Sequence, residues 1–358
     1  MKPKLVYVLT CAPEATYIEQ ALMAVWSARY HNPDAQIVLL TDDKTSAILH
    51  TGGPRGEILR YITEEIVSSF DEDKSMLYRS RWIKTKAREL VSGDMLFVDC
   101  DTLCCRPLDA VDAFECIAGA VLESHLPIAE LNDTMQRGIE EKAQQVGWSI
   151  KDETLYFSSG VLYTKDVPEA HNLYRLWHET WLSGVERGIN IDQPTLAYAN
   201  IQCNHLIQQI PDSYNRILFT QTSGTREAHV LHIAAYRNPS FLFTNKVLNY
   251  VKVNGIGNEW LQRMILNPCA TMMPFDYTLK HSSCEERRLW RRELSEAWSG
   301  YGEVIDATYA DFPMKSRFRN VVVHLMQNNH VYLGLALWLI ERRLHIMNEN
   351  LKINVCQK

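Results

Sequence analysis

Asp99 and Asp101 flank a single cysteine at the end of an apolar run, Met95-Leu96-Phe97-Val98. A short apolar run of this kind suits a buried strand. Carboxylates left at the end of such a strand cost several kcal/mol unless their charge is compensated. A divalent cation supplies that compensation. Two aspartates one residue apart are hard-oxygen ligands suited to Mg²⁺ or Mn²⁺, completed by waters and the phosphates of a nucleotide. The alternative is a turn carrying two solvated aspartates, and the rest of the chain has to decide between the two.

Several other residue groups can join such a site. Arg79, Arg81, Lys84, Lys86 and Arg88 stud the segment just upstream. As a rule such a stretch is a solvated helix face, but beside a metal–phosphate site Arg81 and Lys84 would neutralise a diphosphate. His232 lies inside the apolar run Val230-Leu231-His232-Ile233. It is either a core histidine or a neutral imidazole completing a site begun by the two aspartates. Ser159-Gly160 interrupts a strand-like run, and glycine there marks a bulge or a close backbone approach to a ligand. Asp192-Gln193-Pro194 opens a helix, with Asp192 as N-cap and Pro194 in the first turn. The same Asp192 and Gln193 can instead aim a carboxylate and an amide at a sugar.

The elements that would position these groups alternate. Leu5–Thr10 reads as a strand, Tyr17–His31 as a helix and Ile37–Thr41 as a second strand closed by Asp42-Asp43. That opening argues for parallel pairing with a right-handed crossover. Ile58–Ile62 reads as a third strand, Lys74–Leu90 as the basic helix, Met95–Val98 as the central strand and Cys116–Leu122 as another. Residues 125–150 are polar, helical or loop. Thr154–Thr164 is strand-like, Pro168–Gly184 an aromatic-rich helix, and Ile217–Phe219 and Ala228–Ile233 are short late strands. In an open parallel sheet, ligands gather outside the carboxyl ends of strands. Thr10, Cys11 and Tyr17, then Asp42, then Asp99 and Asp101 all fall at such ends. After residue 240 the alternation fades into the helices Glu259–Arg263, Ser283–Ser299 and Asn320–Asn348. The expected division is therefore an α/β domain over 1–240 and a helical region over 241–358.

The 358 residues are 46% apolar and 22% charged, an ordinary globular composition. The net charge of -6 gives no electrostatic argument for nucleic-acid binding. Nine scattered cysteines lack the spacing of a disulfide framework or a zinc site and point to a reducing, cytoplasmic setting. The apolar start is too short for a signal peptide, and no run reaches the roughly 18–20 apolar residues of a membrane span.

The ordered set Val6-Tyr7-Val8-Leu9-Thr10, Leu39-Leu40-Thr41-Asp42-Asp43, the basic helix, Phe97-Val98-Asp99-Cys100-Asp101-Thr102, Ser158-Ser159-Gly160-Val161-Leu162-Tyr163, Asp192-Gln193-Pro194-Thr195-Leu196 and Leu231-His232-Ile233 resembles the GT-A-fold glycosyltransferases. The closest group is family 8, galactosyltransferase and glycogenin-like. The likeness spans residues 4–240. It implies a nucleotide-binding α/β sandwich with a mostly parallel central sheet. It also implies a UDP-sugar donor and Mn²⁺ (or Mg²⁺) held by Asp99, Asp101 and His232. Thr10, Tyr17 and Asp42 would lie near the uridine, with Arg81, Lys84, Asp99, Cys100, Ser159 and Gly160 completing the donor site. Asp192 and Gln193 would lie at the reacting carbon as the catalytic pair, with configuration retained and a saccharide or lipid-linked glycan as acceptor.

One departure is plain: the family's late Lys-Pro-Trp element is replaced by Ala234-Ala235-Tyr236-Arg237, where Arg237 stands in for the lysine. A GT-A-like scaffold without turnover is one rival reading. A sugar nucleotidyltransferase is another, but it wants a glycine-rich loop where Thr10-Cys11-Ala12-Pro13-Glu14-Ala15 stands. Residues 321–346 read either as a core helix or as an interfacial helix docking the protein on the inner face of a membrane.

Overall fold

The structure is a computed structural model, and it describes residues 1–151, 153–217, 227–233, 241–243 and 245–267. Its strands are β1 (Lys4–Leu9), β2 (Ile37–Asp42), β3 (Glu64–Ser68), β4 (Met95–Val98), β5 (Thr102–Cys104), β6 (Ala118–Leu122), β7 (Phe157–Thr164), β8 (Ile207–Gln209), β9 (Arg216–Ile217) and β10 (Val230–His232). Its helices are α1 (Tyr17–His31), α2 (Asp43–Leu49), α3 (Met76–Leu90), α4 (Asp133–Val146), α5 (Pro168–Glu186), α6 (Gln193–Gln202), α7 (Asn245–Asn254) and α8 (Glu259–Leu266).

Seven strands form the main sheet in the order β3-β2-β1-β4-β7-β6-β8. β1 pairs in parallel with β2 and β4, and β2 with β3; β7 runs antiparallel to both β4 and β6. Every residue of β2, β4 and β7 is buried, which is why β4 and the first four residues of β2 read as continuous apolar runs without alternation. Their side chains nonetheless divide between two layers. Leu5, Tyr7 and Leu9 of β1 pack with Ile18, Leu22 and Val25 of α1 on one face. Val6 and Phe97 pack with Ile83 and Ala87 of α3 and Leu173 and Trp177 of α5 on the other. The result is the expected α/β sandwich with a mostly parallel central sheet. Val247, Leu248 and Val251 of α7 and Leu261 and Met264 of α8 join the α1-side core.

A second, three-stranded sheet has the order β5-β10-β9, with β10 antiparallel to β5 and parallel to β9. The step from β4 into β5 therefore carries the chain from one sheet to the other within three residues, Asp99 to Asp101.

Ile58–Ile62 is not a strand. Gly53-Pro54 opens a 3-10 helix over Pro54–Arg60, and the third strand is Glu64–Ser68, an edge strand whose two leading glutamates mask the apolar signal. Ser283–Ser299, Asn320–Asn348 and the segment 321–346 lie outside the described residues, as does Phe219. No helix among the described residues is long and apolar enough to cross a membrane.

Candidate functional site

The two aspartates are placed by the junction between the sheets. The Asp99 N–H donates to the Gly160 carbonyl at 2.8 Å, extending the β4–β7 ladder by one residue. The Thr102 hydroxyl then donates back to the Asp99 carbonyl at 2.7 Å and tightens the turn into β5. Pairing of β10 on β5 sets His232 opposite Thr102, and the Ile233 N–H donates to the Asp101 carbonyl at 2.9 Å. His232 Nε2 consequently stands 3.2 Å from Asp101 Oδ1. Its other ring nitrogen, Nδ1, lies 3.0 Å from Asn215 Oδ1. One ligand atom from each of Asp99, Asp101 and His232 falls within 4.8 Å of the others.

Gly160 lies directly against this cluster. A Cβ there would stand 2.4 Å from His232 Cε1, 2.7 Å from Nδ1 and 3.1 Å from Asp99 Oδ2. Glycine at this strand position leaves the imidazole room to approach the carboxylates.

A second group faces the aspartates from α3 and α6. Lys84 Nζ, buried, lies 3.2 Å from Asp99 Oδ1 and 3.0 Å from Asp192 Oδ2, and donates to Ser159 Oγ at 3.2 Å. Arg81 Nε pairs with Asp192 Oδ1 at 3.0 Å, and the Ser159 hydroxyl donates to Asp192 Oδ2 at 3.0 Å. Burial works against ionisation of Asp192, but Arg81 and Lys84 outweigh it and hold the carboxyl well below the usual range. Trp177 Nε1 and Thr195 Oγ1 donate to the Asp192 carbonyl at 2.8 and 2.6 Å and pin its backbone. Asp192 stands at the N-cap position of α6 as the sequence suggests, yet its side chain makes no capping bond. The carboxylate is taken by the two cations and the serine.

The electrostatics of the aspartates run the other way. Burial pushes the Asp99 carboxyl up, Asp101 adds to this, and Lys84, His232 and Arg81 oppose it. Burial disfavours the His232 imidazolium, but Asp101, Asp99 and Glu123 together raise its pKa. The cluster concentrates negative charge in a buried place.

The remaining candidates fall around this centre. Asp42 is fully buried and both its oxygens are engaged: Oδ1 accepts from the Thr45 N–H at 2.8 Å, capping α2, and Oδ2 pairs with Arg79. Thr10 donates to the Met76 carbonyl at 3.1 Å, and the half-exposed Tyr17 lies within electrostatic range of Arg81. The Cys100 thiol donates to the Val8 carbonyl at 3.2 Å, and burial followed by the two flanking aspartates pushes its pKa well up, so it stays a thiol. Arg237 lies outside the described residues. Two residues that sequence reasoning passes over also belong here. Glu123, just past β6, is influenced by Gln193, His232 and Ser158, and burial raises its pKa. Asn215 touches His232. Neither residue sits in a motif. Only the glutamate's place one residue past an apolar strand gives any local signal.

The residues present fit a divalent cation. The donor set is two carboxylates and one imidazole, the mixture Mn²⁺ accepts well. Among the described residues, the site holds more carboxyl groups (Asp99, Asp101, Asp192 and Glu123) than fixed cations (Lys84 and Arg81).

No protein-family model and no curated protein matches the chain. Solved structures do. A galactosyltransferase, LgtC, in complex with donor and acceptor sugar analogues, is 15% identical, with 73% of this chain and 99% of that one covered and a TM-score of 0.45. Mouse xyloside xylosyltransferase 1 in its apo form is 14% identical, over 65% of this chain and 98% of that one, with a TM-score of 0.42. The glycosyltransferase GlyE of Streptococcus pneumoniae TIGR4 is 15% identical, over 75% of this chain and 63% of that one, with a TM-score of 0.43. In structure, the chain is similar to these glycosyltransferases at low sequence identity.

Proposed function

We propose that this protein is a metal-dependent glycosyltransferase that moves a hexose from a UDP-sugar to a hydroxyl of a saccharide or lipid-linked glycan, with retention at the anomeric carbon. The observation that carries the reading is the Asp99–Asp101–His232 cluster, closed over a glycine that leaves space for the imidazole and backed by Lys84 and Arg81. Asp99, Asp101 and His232 would hold Mn²⁺ or Mg²⁺. Once bound, the ion supplies positive charge for the diphosphate of the leaving UDP.

The chain's own groups then have separate tasks. Lys84 and Arg81 bring two positive charges to the edge of the site and keep Asp192 ionised. Asp192 is thereby rigid, with Arg81, Lys84 and Ser159 on its side chain and Trp177 and Thr195 on its backbone carbonyl fixing the start of α6 and so the position of Gln193. Gln193 offers an amide to the sugar and Asp192 a fixed negative potential, both suited to stabilising positive charge that grows at the anomeric carbon. The acceptor attacks on the face the phosphate leaves, and the departing phosphate takes the hydroxyl proton. Thr10, Tyr17 and Asp42 are assigned to the uridine side, Ser159 and Gly160 to the donor sugar.

The test is release of UDP from a panel of UDP-sugars, with and without saccharide acceptors, in Mn²⁺ and in chelator. Wild type should turn over in Mn²⁺ and stop in chelator, and Asp99→Asn and Asp101→Asn should be at least about 100-fold slower. Turnover that survives both chelation and the paired substitutions would overturn the reading. Metal-dependent UDP binding without turnover on any donor or acceptor would instead identify a binding protein.

A further inference from the structure

His232 is held from both sides, and its second partner has no role in the reading above. Asn215 is fully buried at the end of the 3-10 turn Asp212–Asn215, immediately before β9. Its Oδ1 lies 3.0 Å from His232 Nδ1. Its Nδ2 is buried without a hydrogen-bond partner among the described residues. The backbone around it is secured independently. β9 pairs in parallel with β10, setting Ile217 beside His232, and the Ile217 N–H donates to His125 Nε2 at 3.2 Å. Asn215 is thus fixed with its side chain on the ring of His232.

The chemistry of that contact has one consequence. An amide oxygen only accepts. With Asn215 Oδ1 on Nδ1, the proton of a neutral imidazole belongs on Nδ1, and the lone pair belongs on Nε2. Nε2 is the nitrogen 3.2 Å from Asp101. We propose that Asn215 is a positioning residue for the metal site: through its carbonyl oxygen it fixes the tautomer and ring angle of His232 so that Nε2 faces Asp99 and Asp101 as a ligand. The inference rests on the metal reading of that cluster and deepens it. Ligating histidines commonly donate their other N–H to an oxygen acceptor, and losing that acceptor typically costs about 10–100-fold in metal affinity.

The experiment titrates the full chain with Mn²⁺ alone and reads free ion by electron paramagnetic resonance. Asn215→Asp keeps an acceptor oxygen, whereas Asn215→Leu keeps the same number and branching of side-chain heavy atoms, is somewhat larger, and has no acceptor. Asn215→Asp should bind Mn²⁺ at least as tightly as wild type, and Asn215→Leu about 10–100-fold more weakly. A merely structural asparagine would not give this ordering, because a buried aspartate disturbs packing no less than a leucine does. Wild-type affinity in Asn215→Leu would overturn the proposal. So would a tenfold loss in Asn215→Asp, which stands as a test even where the leucine variant does not fold. His232→Ala separates the two layers of the argument. If wild type and His232→Ala bind Mn²⁺ equally poorly, the metal reading itself falls and takes this inference with it. If His232→Ala loses binding and Asn215→Leu does not, only the role of Asn215 falls.

Discussion

Gly160→Ala tests the geometry of the site most directly. Gly160 lies in extended β7 and not in the left-handed region, so alanine meets no backbone objection there. The whole effect comes from one methyl group placed 2.4 Å from His232 Cε1 and 2.7 Å from Nδ1. Carbon atoms settle at about 3.5–4.0 Å, so the imidazole has to retreat by about 1 Å. A metal–ligand distance tolerates about 0.2 Å, so a retreat of that size would take His232 out of the proposed cation site. His232 cannot swing away cheaply, because β10 is paired on both edges and Nδ1 is tied to Asn215. The strain should cost about 1–3 kcal/mol of folding stability, as overpacked cores do. Mn²⁺ affinity should fall at least about tenfold, with UDP-sugar turnover falling in parallel. Urea unfolding measures the first, Mn²⁺ titration the second and UDP release the third. A Gly160→Ala protein that binds Mn²⁺ as wild type does would refute the reasoning, because the ring where it stands leaves no room for that methyl group.

Two further perturbations probe the groups around the centre. Asp192→Asn leaves buried Lys84 with one carboxylate fewer and should cost about 3–5 kcal/mol in urea unfolding near neutral pH. Because the folded Asp192 titrates well below the usual range of about 3.9, its contribution is complete above that pH and fades below it, so the gap between the two proteins should narrow toward pH 3. His178 is buried with Nδ1 2.7 Å from Thr85 Oγ1, and burial lowers its pKa to about 4. The unfolded chain then binds a proton that the folded chain refuses between about pH 6.5 and pH 4. Stability should fall as pH drops through that window, by up to about 1.4 kcal/mol per pH unit. His178→Phe should flatten that slope in urea titrations at pH 7, 5.5 and 4.5; an unchanged slope counts against the assignment.

The sheet was readable because its central strands are buried on both faces. Continuous apolar runs at Leu5–Leu9, Ile37–Leu40 and Met95–Val98 admit few other placements. β3 was not readable, since an edge strand that opens on an exposed Glu64 and a mostly covered, hydrogen-bonded Glu65 shows neither an apolar run nor clean alternation. The site divides in the same way. Asp99 and Asp101 announce themselves by contrast with the run they end, and Gly160 by interrupting a strand. The other half of the site is made by pairings that no local pattern carries. Asp192 looks like a helix cap in one dimension, and only the arrival of Lys84 and Arg81 from α3 shows why its carboxylate turns elsewhere. Asn215 and Glu123 reach His232 from distant points of the chain, with unremarkable neighbours on either side.

The switch from the main sheet to the small one also sets when the site can come into being. Asp99 and Asp101 are made early, but β5 finds its partner only when β10 arrives, and β10 carries His232. A nascent chain that has not yet released residue 232 therefore has the pair of carboxylates and no imidazole beside it. A chain that stops just short of it still contains all seven strands of the main sheet, and on the proposed reading would lack one of its three cation ligands. On the proposed reading, this last described strand would act as a check on completeness: the cation site would be whole only after the seven strands of the main sheet have left the ribosome.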